Sequence, residues 1–216
     1  MVSFCGGMCR GSSRTVSGGI NPMGYEVEVK YPVTDAACLQ AALEKLGVQW
    51  TERVVEQDIY FQHPCRDFAS TDEALRLREA GGKAFLTYKG RKTDSVTKTR
   101  QEIDLPLDLA ATPISLWVRL LAELGFRQVA PVVKTRCRGF VVWEGKRIQV
   151  CVDDVAELGC FLELELPAEE ENLAEAREVV LSLGRHLGFD RSERRSYLEL
   201  LLEKRSEKFP PVISGG

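Results

Sequence analysis

The chain has 216 residues, of which 44% are hydrophobic and 28% charged, and a formal net charge of −3 at pH 7. These values fit one globular domain with a sizeable core and exclude a general electrostatic attraction to nucleic acid or to an anionic membrane. Seven cysteines without a Cys-x-x-Cys pair argue against a disulfide framework, and two histidines exclude a His-rich metal site. We therefore predict a cytoplasmic protein with reduced thiols and with neither a membrane nor a nucleic-acid partner.

The two ends of the chain are predicted to be disordered tails. Residues 1–22 are rich in Gly and Ser and lack the apolar stretch of a secretory signal, and residues 210–216 have a similar composition. A single folded domain is predicted between them, over residues 23–209.

Helix signals occur in four places along this domain. Thr34 is predicted to cap a helix that ends before Gly47, and Pro113 to occupy the first turn of a second helix. A third helix is expected over about residues 170–187 and a shorter one over residues 197–204. Eight strand-like segments lie between these helices, at 25–30, 56–62, 74–79, 84–89, 97–104, 131–142, 147–153 and 160–166. The pattern predicts an α+β domain with mostly antiparallel strands.

Charged side chains recur on one face of nearly every segment, because residues two apart on a strand share a face. The acids are at 26, 28, 102, 104, 153, 163 and 165, and the bases are at 30, 76, 78, 89, 98, 100, 134, 136, 138 and 147. An antiparallel sheet with one face in water would show the same alternation. If the sheet closes with helices outside, the charges converge on one lumen with a local excess of +3. Such a lumen suits a polyphosphate bound together with divalent cations.

Several short motifs carry a family resemblance over residues 24–202. They include Glu26-Val-Glu28-Val-Lys30, Asp58-Ile-Tyr60-Phe61, Ala74-Leu-Arg76-Leu-Arg78-Glu79, Tyr88-Lys89-Gly90, Lys134-Thr-Arg136, the run from Val152 to Glu163, and Arg195-Ser196-Tyr197. Together they resemble the CYTH, or triphosphate tunnel metalloenzyme, superfamily, and within it the class IV adenylyl cyclase branch. The resemblance implies a closed antiparallel eight-stranded barrel with helices packed outside, Mg²⁺ or Mn²⁺ as cofactor, and a homodimer.

The resemblance also implies roles for individual residues. Catalysis would rest on Glu26, Glu28 and Lys30. The metal would be bound among Glu26, Glu28, Asp153, Glu163 and Glu165. The triphosphate would be bound among Lys30, Arg76, Arg78, Lys89, Arg100, Lys134, Arg136 and Arg195, the last of which resembles a tail arginine that closes over the site.

Three functions remain compatible with the sequence. The branch resemblance favours an adenylyl cyclase that converts ATP to cyclic AMP and pyrophosphate. A triphosphatase acting on inorganic, thiamine or nucleoside triphosphate would use the same metals and basic residues. A non-catalytic module that binds triphosphates would not need all the carboxylates, so the glutamates of the first and last strands argue against it.

Overall fold

Eight antiparallel strands close into a barrel in this computed structural model, which describes residues 25–91 and 100–208. Around the barrel the strands follow the order β1-β5-β4-β3-β2-β6-β7-β8. The strands are β1 (Tyr25–Pro32), β2 (Gln49–Gln62), β3 (Ala74–Ala80), β4 (Lys83–Lys89), β5 (Arg100–Leu107), β6 (Arg127–Trp143), β7 (Lys146–Val155) and β8 (Gly159–Ala168). The helices are α1 (Ala36–Leu46), α2 (Phe68–Thr71), α3 (Ile114–Glu123), α4 (Leu173–His186) and α5 (Tyr197–Lys208). The closed eight-stranded barrel is confirmed, and both predicted tails lie outside the described residues.

Two strands begin well before their predicted starts. β2 begins at Gln49 instead of residue 56, and β6 begins at Arg127 instead of residue 131. The two strands pair with each other from Gln49–Phe140 to Gln62–Arg127. Backbone pairing with a partner extends a strand beyond the stretch in which its own side chains alternate, because each added pair satisfies further N–H and C=O groups.

Helix ends also differ from the sequence prediction. α1 is capped by Asp35, whose side chain accepts the N–H of Cys38 at 2.9 Å, and not by Thr34. Its end at Gly47 is confirmed, with φ of 78°. Pro113 is the N-cap of α3 and not a residue of its first turn. The single-turn α2 was not predicted, because four residues are too few to show helical periodicity.

The apolar faces of the strands point outward and are covered by helices. Buried leucines and valines of α1 and α4 pack against Val27, Val29 and Tyr31 of β1 and against the outer faces of β7 and β8. A second cluster lies under α2 and α3, and a third lies under α5. The charged faces therefore point into the barrel. Among the described residues, no helix has the length and apolarity needed to cross a membrane.

Candidate active site in the barrel tunnel

The inner faces of the strands enclose a cavity of about 860 Å³. Most of the residues predicted for the site line it: Glu26, Glu28, Lys30, Arg76, Arg78, Lys89, Arg100, Lys134, Arg136, Glu163 and Glu165. The structure thus brings together eleven of the thirteen candidates in one tunnel, and the two that do not line the cavity are Asp153 and Arg195.

A group of carboxylates lies on the paired strands β1 and β8. Glu28 is the register partner of Glu165, and Lys30 is the partner of Glu163. Side chains directly opposite on neighbouring strands are about 4.5–5.5 Å apart at Cβ, so two glutamates in that position repel each other. Burial raises the pKa of Glu26, and the carboxylates of Glu165 and Glu102 raise it further. A divalent cation bound by carboxylate oxygens would remove this repulsion, so the donor set fits Mg²⁺ or Mn²⁺.

The guanidinium of Arg136 holds three acidic side chains on this side of the tunnel. It pairs with Asp153 at 2.7 Å from Nε and 2.6 Å from Nη2, with Glu165 at 3.4 Å, and with Glu163. Within the described residues, no three acidic, His or Cys side chains are placed to hold one ion as they stand. Three of these carboxylates could hold one ion together only if Glu163 or Glu165 turned from Arg136 toward β1.

Asp153 is on the inner face of β7 but does not line the cavity, because it is fully buried under its partners. Besides Arg136, its carboxylate accepts from Lys134 Nζ at 3.0 Å and from the hydroxyl of Tyr197 at 2.9 Å. Its oxygens thus hold two basic side chains of the tunnel and the first residue of α5. This geometry favours a positioning role for Asp153 over direct metal ligation.

Two further buried carboxylates, Glu56 and Asp58, face the tunnel from β2. Asp58 binds the guanidinium of Arg78 through two contacts of 2.7 Å and that of Arg76 at 3.3 Å. Although burial alone would raise it, these two guanidiniums lower the pKa of Asp58 well below its usual range. Glu56 lies 3.3 Å from Lys134 and has a pKa lowered to about 2, because nearby cations outweigh its burial. The sequence analysis missed both residues, although the alternation of 52, 54, 56, 58 and 60 along β2 would have placed them on one face.

The β4–β5 side of the tunnel carries another network. Lys89 Nζ contacts Glu102 at 2.5 Å, and Arg76 lies 3.6 Å from the same carboxylate. Burial would raise the pKa of Glu102, but Lys89 and Arg76 lower it to about 2. Glu102 thus holds Lys89 and Arg76 from β5, the strand next to β1.

The predicted excess of positive charge is wrong for the described residues. The inner faces of the described strands carry nine basic and ten acidic side chains. The basic ones are Lys30, Arg76, Arg78, Lys83, Lys89, Arg100, Lys134, Arg136 and Arg138. The acidic ones are Glu26, Glu28, Glu52, Glu56, Asp58, Glu102, Asp104, Asp153, Glu163 and Glu165. The balance changes mainly because β2 contributes three acids. Lys98 lies outside the described residues, and Arg147 is exposed, with its guanidinium 3.8 Å from the centre of the Phe140 ring. The acidic side chains therefore balance the basic ones, with one acid in excess.

Arg195 is not placed over the tunnel. Its guanidinium is half-exposed and pairs with Glu193 at 2.5 Å and with Glu203. The backbone carbonyl of Arg195 instead accepts a hydrogen bond from Lys30 Nζ. The Arg195 segment thus contacts a tunnel lysine through its backbone, while its side chain belongs to an outer network.

Comparison with known proteins yields a consistent set of matches. Residues 24–197 match the family described as the CYTH domain. A Methanocaldococcus jannaschii protein, provisionally named an adenylate cyclase, is 37% identical over 180 residues, which cover 81% of this chain and 97% of the relative. A Pyrococcus horikoshii protein of known structure is 42% identical with a TM-score of 0.74, over 83% of this chain and 99% of that one. A Hippeastrum protein with a dominant triphosphatase activity is 19% identical with a TM-score of 0.56, over 88% of this chain and 98% of that one.

Proposed function

Because the chain belongs to the CYTH domain family, we propose that it is a metal-dependent adenylyl cyclase that converts ATP to cyclic AMP and pyrophosphate. The observation that carries the proposal is the opposition of Glu28 and Glu165 across β1 and β8, inside a tunnel lined by basic side chains. Two repelling carboxylates suit a divalent cation, and the basic residues suit phosphate oxygens. The provisional name of the Methanocaldococcus jannaschii relative supports the cyclase reaction.

The carboxylates of β1 and β8 would hold the metal. Glu26 and Glu28 would supply oxygens from β1, and Glu163 and Glu165 from β8. When bound, Mg²⁺ or Mn²⁺ would polarise the phosphoryl oxygens and stabilise the leaving pyrophosphate. Asp153 would act without touching the ligand, by fixing Lys134 and Arg136 in position.

The basic residues would hold the triphosphate in line for internal attack. Arg76, Arg78 and Lys89 are fixed on one wall by Asp58 and Glu102. Lys30, Lys134 and Arg136 face them from the other strands, and Arg100 lies at the β1–β5 seam. Groups that are positioned before the substrate binds stabilise developing negative charge without reorganisation. Attack of the ribose 3′-hydroxyl on the α-phosphorus would then release pyrophosphate.

The proton of the attacking hydroxyl would pass to a tunnel carboxylate and not to a histidine. His63 lies in the loop after β2, where its Nδ1 accepts the backbone N–H groups of Cys65 and Arg66. His186 packs against Trp143 on the outer surface.

A triphosphatase is the second candidate, because triphosphatase activity dominates in the structurally similar Hippeastrum protein. Water would attack the terminal phosphorus within the same tunnel. The two reactions are distinguished by incubating the protein with ATP and Mg²⁺ or Mn²⁺ and separating the products. We expect cyclic AMP and pyrophosphate, whereas ADP and phosphate would reject the cyclase.

Glu28→Gln tests the metal assignment in the same assay. We expect turnover to fall by at least a hundredfold, since the variant keeps the shape of the side chain but loses an anionic ligand. Glu123→Gln, on an exposed face of α3, is the control and should keep full activity. Turnover that survives Glu28→Gln would show that the metal lies elsewhere.

A homodimer in the cytoplasm is part of the same proposal and can be tested by light scattering and by cell fractionation.

A further inference from the structure

The first residue of α5 places an aromatic ring against two lysines of the tunnel. Tyr197 is buried and lines the cavity. The centre of its ring lies 4.1 Å from Lys30 Nζ and 5.1 Å from Lys134 Nζ. The face of an aromatic ring attracts a cation within about 6 Å, and the attraction is stronger where water is excluded. One ring from α5 thus contacts two cations that are carried by β1 and β6.

The hydroxyl group of Tyr197 contacts the same group of cations by a second route. It donates a hydrogen bond of 2.9 Å to Asp153. Asp153 in turn accepts from Lys134 at 3.0 Å and from Arg136 at 2.7 Å. Tyr197 therefore connects Lys30, through its ring, with the carboxylate that orients Lys134 and Arg136.

The surroundings of Tyr197 fix both its ring and the lysine beneath it. The ring of Phe161 meets the ring of Tyr197 edge to face, with centroids 5.1 Å apart and an interplanar angle of 67°. The chain that leads into α5 is joined to Lys30 at two further points. The backbone N–H of Glu193 donates to the carbonyl of Lys30 at 2.6 Å, and Lys30 Nζ donates to the carbonyl of Arg195. The start of α5 therefore holds Lys30 by its backbone and by its ammonium group.

We propose that Tyr197 is a positioning residue, whose ring holds Lys30 and Lys134 in place for the phosphate oxygens of the ligand. A lysine has a flexible four-carbon stem, and ordering it when a ligand binds costs conformational entropy. A ring that holds the ammonium group beforehand removes part of this cost. The inference rests on the proposed triphosphate chemistry and adds to it a role for α5, because docking of this helix completes the phosphate site of the barrel.

The test separates the ring, the hydroxyl group and the docking of the helix. Tyr197→Phe keeps the ring without the hydroxyl, and Tyr197→Leu removes the ring. Leu201→Ala is the matched control, because Leu201 is buried in the same apolar cluster one turn along α5 but does not line the cavity. Calorimetry would measure the Kd of inorganic tripolyphosphate in a chelator, where the protein's cations act alone, and again with Mg²⁺. In the chelator we expect Tyr197→Leu to bind about tenfold more weakly, and the other two variants to stay within about threefold of the unmodified chain.

A measurement on the unmodified chain tests the contact even if a variant does not fold. Protons above the face of an aromatic ring give NMR signals that are shifted upfield, so the ε-methylene signal of Lys30 should be shifted in this way. Lys30→Arg, which removes the signal, would assign it. We expect the shift to persist in Tyr197→Phe and Leu201→Ala and to disappear in Tyr197→Leu.

Each other result contradicts the inference and leaves the triphosphate proposal standing. An unshifted Lys30 signal in the unmodified chain would show that the ring does not contact the ammonium group. If Tyr197→Leu binds tripolyphosphate as the unmodified chain does, the ring only packs. If Leu201→Ala weakens binding as much as Tyr197→Leu, helix docking is responsible, and if Tyr197→Phe does so, the hydroxyl is responsible. Only a failure of the unmodified chain to bind tripolyphosphate, with and without Mg²⁺, would reject the proposed function together with the inference.

Discussion

At the scale of single residues, Asp58 holds two guanidiniums on the tunnel wall through contacts of 2.7–3.3 Å, and it is 2% exposed. Asp58→Asn would leave Arg76 and Arg78 with only the more distant carboxylates of Glu102 at 3.6 Å and Glu56 at 3.2 Å as partners. Loss of one partner of a buried ion pair costs about 3–5 kcal/mol, so we expect a decrease of that order in the unfolding free energy measured in urea. We also expect weaker tripolyphosphate binding, with partial recovery in Asp58→Glu. Tighter binding in Asp58→Asn would show that Asp58 competes with the ligand and does not position the arginines.

The pH dependence of stability follows from Glu56, whose pKa is about 2 in the folded protein. An unfolded glutamate titrates near pH 4.3, so the folded state gains stability from Glu56 at pH values above about 4.3. This stability, on the order of 2–3 kcal/mol, is lost as the pH falls from about 4.3 to about 2. Urea unfolding at several pH values should therefore show a smaller acid loss in Glu56→Gln. Glu123→Gln is the exposed control. If both variants lose the same amount of stability in acid, the pH dependence does not come from Glu56.

The sequence predicted which side chains share a face but not how they pair. Alternation put eleven of the thirteen candidate residues on the strand faces that line the tunnel. It could not show that Asp153 is shielded from the cavity, since its burial depends on contacts with Lys134, Arg136 and Tyr197 from other elements. It also could not show that Arg195 pairs with Glu193 and Glu203, because local charge pairs compete with the tunnel for the same guanidinium.

At the scale of elements, regular patterns predicted strand and helix positions better than their ends. Gly81 and Gly82 form the two-residue β3–β4 turn, with φ of 57° and 76°, and Gly-Gly is a typical sequence for such a loop. The first half of β2 was missed because its pairing with β6, and not its own pattern, makes it a strand. Local sequence therefore specifies turns well and long-range pairing poorly.

The contact between α4 and β1 is an element-scale feature that can be tested at Gly184. A Cβ at this position would lie 2.2 Å from the hydroxyl oxygen of Tyr31, on the strand that carries Glu28 and Lys30. Gly184→Ala must displace the buried ring of Tyr31 or the helix, and we expect a decrease of about 1–3 kcal/mol in the unfolding free energy. Gly90→Ala is the control, because its Cβ would lie 3.6 Å from the nearest atom. Equal stability of the two variants would mean that the helix does not pack this closely.

At the scale of the whole molecule, the barrel closes between β1 and β5. Among the described residues, these strands pair through Tyr25–Gln101 and Glu26–Arg100, and on its other edge β1 pairs with β8 along its whole length. Composition and alternation cannot predict such a closure, because it joins strands about 75 residues apart in the chain. The seam also brings Glu26 close to Arg100, so the two halves of the site meet where the sheet closes.

The tunnel's internal ion pairs predict that metal and triphosphate assist each other's binding. Arg136 holds Glu163 and Glu165, the carboxylates proposed for the metal. A phosphate that takes over Arg136 frees these carboxylates for the cation, and a bound cation frees Arg136 for phosphate. Because such coupling is reciprocal, each ligand must raise the affinity for the other by the same factor.

Thermal unfolding measures this coupling in the whole protein, since a ligand that binds the folded state raises Tm. We expect Mg²⁺ with tripolyphosphate to raise Tm by more than the sum of the two separate shifts, and a chelator to remove the excess. Glu163→Gln should keep the shift caused by tripolyphosphate alone and lose the excess, because the phosphate-binding cations remain while a metal ligand is gone. Val142→Thr, far from the tunnel, should keep both shifts. Strictly additive shifts in the unmodified chain would show that Arg136 does not exchange its partners, and that metal and triphosphate occupy the barrel independently.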